Sequence, residues 1–344
     1  MMQIALIPAL ALALSAGPAP GGDPGPLVRA LRLVQGHGTA ASVDPANDQR
    51  VKGALSRALG KDGSLAPEKL EGLMDPETIR RMAGADGRID ASEIGRAVEA
   101  GVPASRGRLL PRVREHADWL ATSFDLIGEA HRESGRTLAD WIAEHHRPGR
   151  PLDVVVVCTG NSRRSILGAT MGNVAAAYYG MPEIRFHSGG TAPTAFNART
   201  VAALEEVGVA IEPAGREATR GEPQTANPVY RVRWGSPDPS GGPSFEAIEF
   251  SKRYDDPANP RKGFAALMVC GEADAGCPVV RGSALRVSMP YLDPKIYDGG
   301  AYESAKYAER RDDMGRLMLS AMMQARRQIA AAGARPGGGE ALPR

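Results

Sequence analysis

The feature that most constrains this chain is the run Asp153-Val-Val-Val-Val157, which leads into the loop Cys158-Thr-Gly-Asn-Ser-Arg-Arg164-Ser165 and then an amphipathic stretch to about Tyr179. Four consecutive β-branched residues leave no polar face, the pattern of a strand covered on both sides in a parallel sheet. Further strand-like runs at 184–187, 264–269 and 284–288 alternate with helical patterns at 197–207 and 303–331. Alternation of this kind predicts an α/β fold, a doubly wound four-stranded parallel sheet flanked by helices, over 151–332. Residues 213–262 interrupt it; they are rich in Pro and Gly and carry two strand-like pieces at 229–234 and 245–250. They read as an insertion, either a hairpin over the sheet edge or a flap over a substrate.

Ahead of this domain, residues 105–150 form a helical lead-in, with Trp119, Leu120, Phe124 and Ile127, then Leu138, Trp141 and Ile142, at three- and four-residue spacing. Gly135 is expected to break that run, and the RPGRP segment at 147–151 to end it. His145 and His146 are adjacent, and neighbouring helical side chains point about 100° apart, so they read as a polar helix end rather than a metal site. Residues 27–104 contain two similar fragments, GKDGSLAPEKLEGL (60–73) and GADGRIDASEIGRA (84–97). Each has Asp-Gly, an apolar residue two places on, and a helix start, as in the second half of an EF-hand loop, where the apolar residue pairs with a sister loop. Asp86, Gly87, Ile89, Asp90 and Glu93 fit that half, but Met82 and Gly84 stand where the first carboxylates belong, and Lys69 replaces the bidentate Glu of the other copy. A small all-α, degenerate EF-hand-like region is expected, without Ca²⁺.

Residues 4–14 (IALIPALALAL) form an apolar run followed by Ser15-Ala16-Gly17. The run suits the core of a secretory signal over 1–17, yet no Lys or Arg precedes it and Pro8 interrupts it, so export and a cytoplasmic location both stand. Residues 18–26 read as a linker and 333–344 as a flexible tail, both rich in Pro and Gly. With 42 Lys+Arg against 40 Asp+Glu, the net charge of +2 argues against general nucleic-acid binding. The three cysteines are too few for a disulfide scaffold.

The cysteine loop carries the chemistry. A Cys at the end of a buried strand, five residues, then Arg at the start of a helix together make a cradle for a tetrahedral oxyanion. The main-chain amides of Thr159, Gly160, Asn161, Ser162 and Arg163 converge, and the helix dipole adds to their field. Gly160 and Asn161 are residue types that accept left-handed backbone. Arg164 can grip two oxygens through its planar fork. The same field favours thiolate over thiol at Cys158, and Ser165 can donate a hydrogen bond to it. An inert buried Cys before an ordinary turn would not call for Arg-Arg at a strand exit.

The segment Cys158-Thr-Gly-Asn-Ser-x-Arg164-Ser165, with Ser188-Gly-Gly-Thr191 and the helix at 197–208, resembles the low-molecular-weight protein tyrosine phosphatase superfamily, closest to its thioredoxin-coupled arsenate reductase branch. The resemblance covers roughly 151–332 and implies the phosphotyrosine protein phosphatase I-like fold. It also gives meaning to Cys270 and Cys277, which stand in a similar Cys, six residues, Cys-Pro segment. The implied sequence is attack of Cys158 on arsenate, attack of Cys270 on the sulfur of Cys158 with release of arsenite, and transfer of the disulfide to Cys270–Cys277 and on to thioredoxin or a similar thiol reductant. No cofactor is required. The resemblance further implies a general acid in an Asp-Pro pair, Asp293-Pro294, with Asp255-Asp256-Pro257 as the competing candidate.

Three departures qualify the resemblance. Arg163 stands where many members have a second Cys, so no disulfide can form within the loop. Lys295-Ile296 follows the Asp-Pro pair, where the phosphatases place aromatics to hold a phenyl ring. The 213–262 segment has no counterpart of known role. A phosphatase acting on phosphotyrosine or a small phosphomonoester through Cys158, Arg164 and Asp293 is therefore the alternative to the reductase. A surface anion-sensing module, with the EF-hand-like pair as its partner contact, is a third reading. Export conflicts with a relay fed by reduced thioredoxin.

Overall fold

The computed structural model describes residues 64–70, 79, 83–89, 103–239, 244–276 and 279–333. Outside them lie the apolar leader, the linker, most of the EF-hand-like region including Met82, Asp90 and Glu93, the tail from 334, and Cys277 with Pro278. The chain divides into two compact units, 103–322 and a second made of 1–102 with 323–344. In the second unit Leu65 and Ile89, the apolar residues that follow the two Asp-Gly pairs, form an antiparallel bridge with N–H···O distances of 2.8 and 3.0 Å. Asp86 accepts from the Arg88 N–H at 3.0 Å, and Gly87 turns the chain at φ 74°. Among the described residues no group of three His, Cys, Asp or Glu side chains is placed to hold a metal.

The larger unit begins with α1 (Ala104–Arg108), α2 (Pro111–Leu120), a 3-10 turn (Phe124–Leu126) and α3 (Glu129–His145). The helical lead-in breaks at 121–128 and not at Gly135, which lies buried inside α3. A Cβ at Gly135 would stand 2.7 Å from Leu317 Cδ1, so glycine here serves close helix approach rather than helix termination. His146 Nε2 donates to Glu183 Oε1 at 2.7 Å, while His145 stacks on Trp141 and donates from Nδ1 to its carbonyl at 2.9 Å. The two rings thus have separate protein partners.

β1 (Leu152–Cys158), α4 (Arg164–Tyr178), β2 (Ile184–Gly190) and α5 (Ala198–Glu205) follow. Next come β3 (Ala210–Glu217), β4 (Pro228–Arg233), β5 (Glu246–Glu249), β6 (Phe264–Met268), α6 (Gly271–Gly276), β7 (Ser283–Ser288) and α7 (Glu303–Gly333). The main sheet has the order β2-β1-β6-β7, parallel throughout. It is an α/β architecture, a four-stranded parallel sheet flanked by helices, compatible with double winding. The valines of β1 are fully buried, as the run of β-branched residues requires of a central strand. Strand order reverses between β1 and β6, so the loops after those strands diverge and leave a crevice at their carboxyl ends. Cys158 ends β1 and Cys270 follows β6, which is why residues far apart in sequence meet there.

Helix α4 lies against β2 with no room to spare. A Cβ on Gly172 would come within 2.3 Å of the buried Phe186 ring. Gly172→Ala is expected to lower stability by about 1–3 kcal/mol, despite the better helix propensity of alanine, read as a lower urea midpoint at unchanged slope. The outer edge of β2 is closed by side chains. Asn173 accepts from Phe186 N–H at 3.0 Å and donates to its carbonyl at 2.8 Å, and Asn259 donates to the Ser188 carbonyl at 3.0 Å.

The insertion is a second sheet, three antiparallel strands in the order β3-β4-β5. It contains one strand more than the two expected. β3 escapes periodicity because only Ile211 in it is buried and a register shift separates Pro213 from Glu217. After β5 the chain meets the end of β2: Gly190 pairs with Arg253 in parallel, its N–H donating to the Lys252 carbonyl at 2.9 Å. The insertion thus covers the sheet edge at that point.

Candidate oxyanion site

Cys158, Thr159, Gly160, Ser162, Arg163 and Arg164 line a cleft of about 710 Å³, with Asn161 and Ser165 buried beneath them. Cys158 Sγ is 3.1 Å from Ser165 Oγ, and both residues are buried. Asn161 Nδ2 donates to the same Ser165 oxygen at 2.9 Å, while Asn161 Oδ1 accepts from the Lys252 N–H at 2.8 Å. The amide orientation is therefore set from both ends, and the Ser165 hydroxyl keeps its own hydrogen for Cys158. Asn161 has φ 40°, the only positive φ outside glycine among the described residues. Gly160, by contrast, is not left-handed; it is small because a Cβ there would press on Thr194 Oγ1 at 3.2 Å. Gly190 of the Ser188-Gly-Gly turn has the same kind of reason. A Cβ on it would meet Thr159 O at 2.6 Å and Asn161 N at 2.8 Å.

Arg164 opens α4 and is 7% exposed. Its guanidinium donates to the Tyr291 carbonyl at 2.9 Å and to Asp293 Oδ2 at 2.7 Å, leaving its buried Nε–H without a protein acceptor. Asp293 caps the 3-10 turn Pro294–Tyr297 by accepting from Lys295 N–H at 3.0 Å, and it lines the cleft. The competing acids are elsewhere: Asp255 pairs with Arg253 at 2.9 Å, and Asp256 accepts from Ala258 N–H. Of the two Asp-Pro candidates, the fold brings Asp293 to Arg164.

The sequence assigns Arg163 to the loop through its main-chain N–H, and its side chain points elsewhere: Nε donates to Tyr307 Oη of α7 at 2.7 Å and Asp298 lies 3.5 Å away. Tyr307 donates in turn to Asp298 at 2.9 Å. Burial pushes the Tyr307 hydroxyl up to about 12, so it remains protonated in this bridge at neutral pH. Ser162 and Arg163 both line the cleft.

Cys270 is fully buried. The Thr159 hydroxyl stands 3.4 Å from its sulfur and donates to Glu272 at 3.1 Å, so a single side chain links the residue after Cys158 to the second cysteine. Cys277 lies outside the described residues. Sequence reasoning missed Glu272, Thr194, Ser251 and the Tyr307–Asp298 bridge. None of these belongs to a local motif; the fold brings them to the loop from separate segments. No protein-family model and no curated protein matches the chain.

Proposed function

We propose that this protein is a cysteine-dependent oxyanion enzyme with the phosphotyrosine protein phosphatase I-like arrangement, acting as a thioredoxin-coupled arsenate reductase. The observation that carries the reading is the placement of Cys158, backed by the Ser165 hydroxyl, in the lining of a cleft that also holds Arg164 and Asp293. The N-terminus of α4 and the Arg164 guanidinium beside Cys158 in the cleft lining supply positive potential that suits a tetrahedral dianion. Cys158 attacks arsenic and an oxygen leaves as water, protonated by Asp293. Cys270 then attacks the Cys158 sulfur; the sulfur–arsenic bond breaks, its electron pair reduces arsenic, and arsenite departs. Cys277 displaces Cys158 from Cys270, and a dithiol reductant such as thioredoxin removes the final disulfide. The nearness of Cys270 to Thr159 supports the second step. The reading asks for no cofactor or metal and no nucleic-acid partner.

Hydrolysis of a phosphomonoester is the second reading: Cys158, Arg164 and Asp293, which all line the cleft, suffice for a phosphocysteine route that needs neither Cys270 nor Cys277. Side-by-side assays of arsenate reduction with thioredoxin and of p-nitrophenyl phosphate hydrolysis separate the two. Cys277→Ser is expected to stop multiple-turnover arsenate reduction and leave ester hydrolysis within about twofold of wild type. Reduction that survives this change removes the three-cysteine relay.

A further inference from the structure

The segment leaving β5 contributes directly to the geometry of the cysteine loop. Ser251 is 2% exposed, and its hydroxyl donates to the Gly160 carbonyl at 2.9 Å while accepting from Thr194 N–H at 3.0 Å. The Lys252 main-chain N–H holds Asn161 Oδ1, and the Lys252 carbonyl accepts from Gly190 N–H. Two consecutive residues of the insertion therefore grip two consecutive residues of the loop, including the one in left-handed backbone.

This strap is itself anchored. Asn227 takes both main-chain groups of Ser251, its Oδ1 accepting at 3.0 Å and its Nδ2 donating at 2.8 Å. Lys252 is 4% exposed, and its ammonium donates to Glu249 Oε2 at 3.0 Å; Ser188 Oγ donates to the same oxygen at 2.7 Å. A buried pair of this kind adds little net stability over apolar packing, but it fixes a single geometry. The ammonium also lies 4.8 Å from the centre of the Phe250 ring.

We infer that Ser251 and Lys252 are positioning residues for the oxyanion loop, and that the Glu249–Lys252 pair locks the strap that carries them. The 213–262 insertion then acts as the rear wall of the anion cradle. The inference rests on the proposed reading of that loop as an anion site.

Two measurements on the full chain test it: binding of inorganic phosphate by calorimetry, and amide hydrogen exchange in the peptide spanning 159–166. Ser251→Ala is expected to weaken phosphate binding about tenfold and to speed exchange in that peptide, with Ser251→Thr restoring both. The paired change Glu249→Gln with Lys252→Met removes both charges together and is expected to shift the same two readouts in the same direction; it carries the test should Ser251→Ala not fold. Exchange and affinity unchanged in these variants would overturn the inference. Wild-type protein that binds no phosphate would instead remove the anion-site reading, while the exchange data would still decide whether the strap holds the loop.

Discussion

Cys158→Ser is expected to lower both arsenate reduction and p-nitrophenyl phosphate hydrolysis by about a thousandfold or more, with little change in the unfolding midpoint. The replacement fits, since serine is no larger than the 3% exposed cysteine it replaces and Ser165 already supplies a polar neighbour. What it removes is the nucleophile. A serine hydroxyl needs an adjacent base, and the Cys158 sulfur has a hydroxyl beside it at 3.1 Å instead. The loop amides and Arg164 remain, so inorganic phosphate is expected to bind this variant nearly as well as wild type. Turnover at the wild-type rate would show that another group attacks the substrate, and the proposed chemistry would fall with it.

Gly190→Ala carries the second large effect, although this residue touches no reacting atom. Its Cβ would enter the space of two backbone atoms, Thr159 O and Asn161 N, rather than that of a flexible side chain. Either the loop or the end of β2 must move, and β2 is held on one side by β1 and on the other by the Lys252 carbonyl. We expect stability to fall by about 1–3 kcal/mol and kcat/KM by about a hundredfold, since displacement of catalytic groups by a fraction of an ångström is costly. Gly189→Ala is the useful comparison. Its Cβ would meet the Tyr254 backbone at 2.6 Å, on the strap rather than the loop, so it separates damage to the cradle from damage to its support. A Gly190→Ala protein with normal turnover would show that the loop tolerates a shift the geometry forbids.

The four parallel strands and the long helices are legible in the sequence because each is decided by burial of its own residues. The valines of β1 and the alternation of strands and helices lead directly to the sheet that forms. The cysteine loop is legible for a different reason: nucleophile, special backbone and guanidinium lie within eight consecutive residues. Elements decided by distant contacts are not legible. Gly135 looks like a helix breaker until Leu317 is seen against it, and Gly160 looks left-handed until Thr194 is. The partners of the Arg163 guanidinium, Tyr307 and Asp298, lie on later segments and leave no local signal. β3 has almost no buried side and borrows its conformation from β4.

The asparagines along β2 bear on how this molecule meets its own copies. A border strand with free amides and carbonyls is a template on which a neighbouring chain can build lateral aggregates. Here Asn173 and Asn259 occupy that border at Phe186 and Ser188, and Lys252 does so at Gly190. At these three positions the edge is occupied within the molecule, by two side-chain amides and one main-chain carbonyl, and offers no free main-chain group there for an added strand.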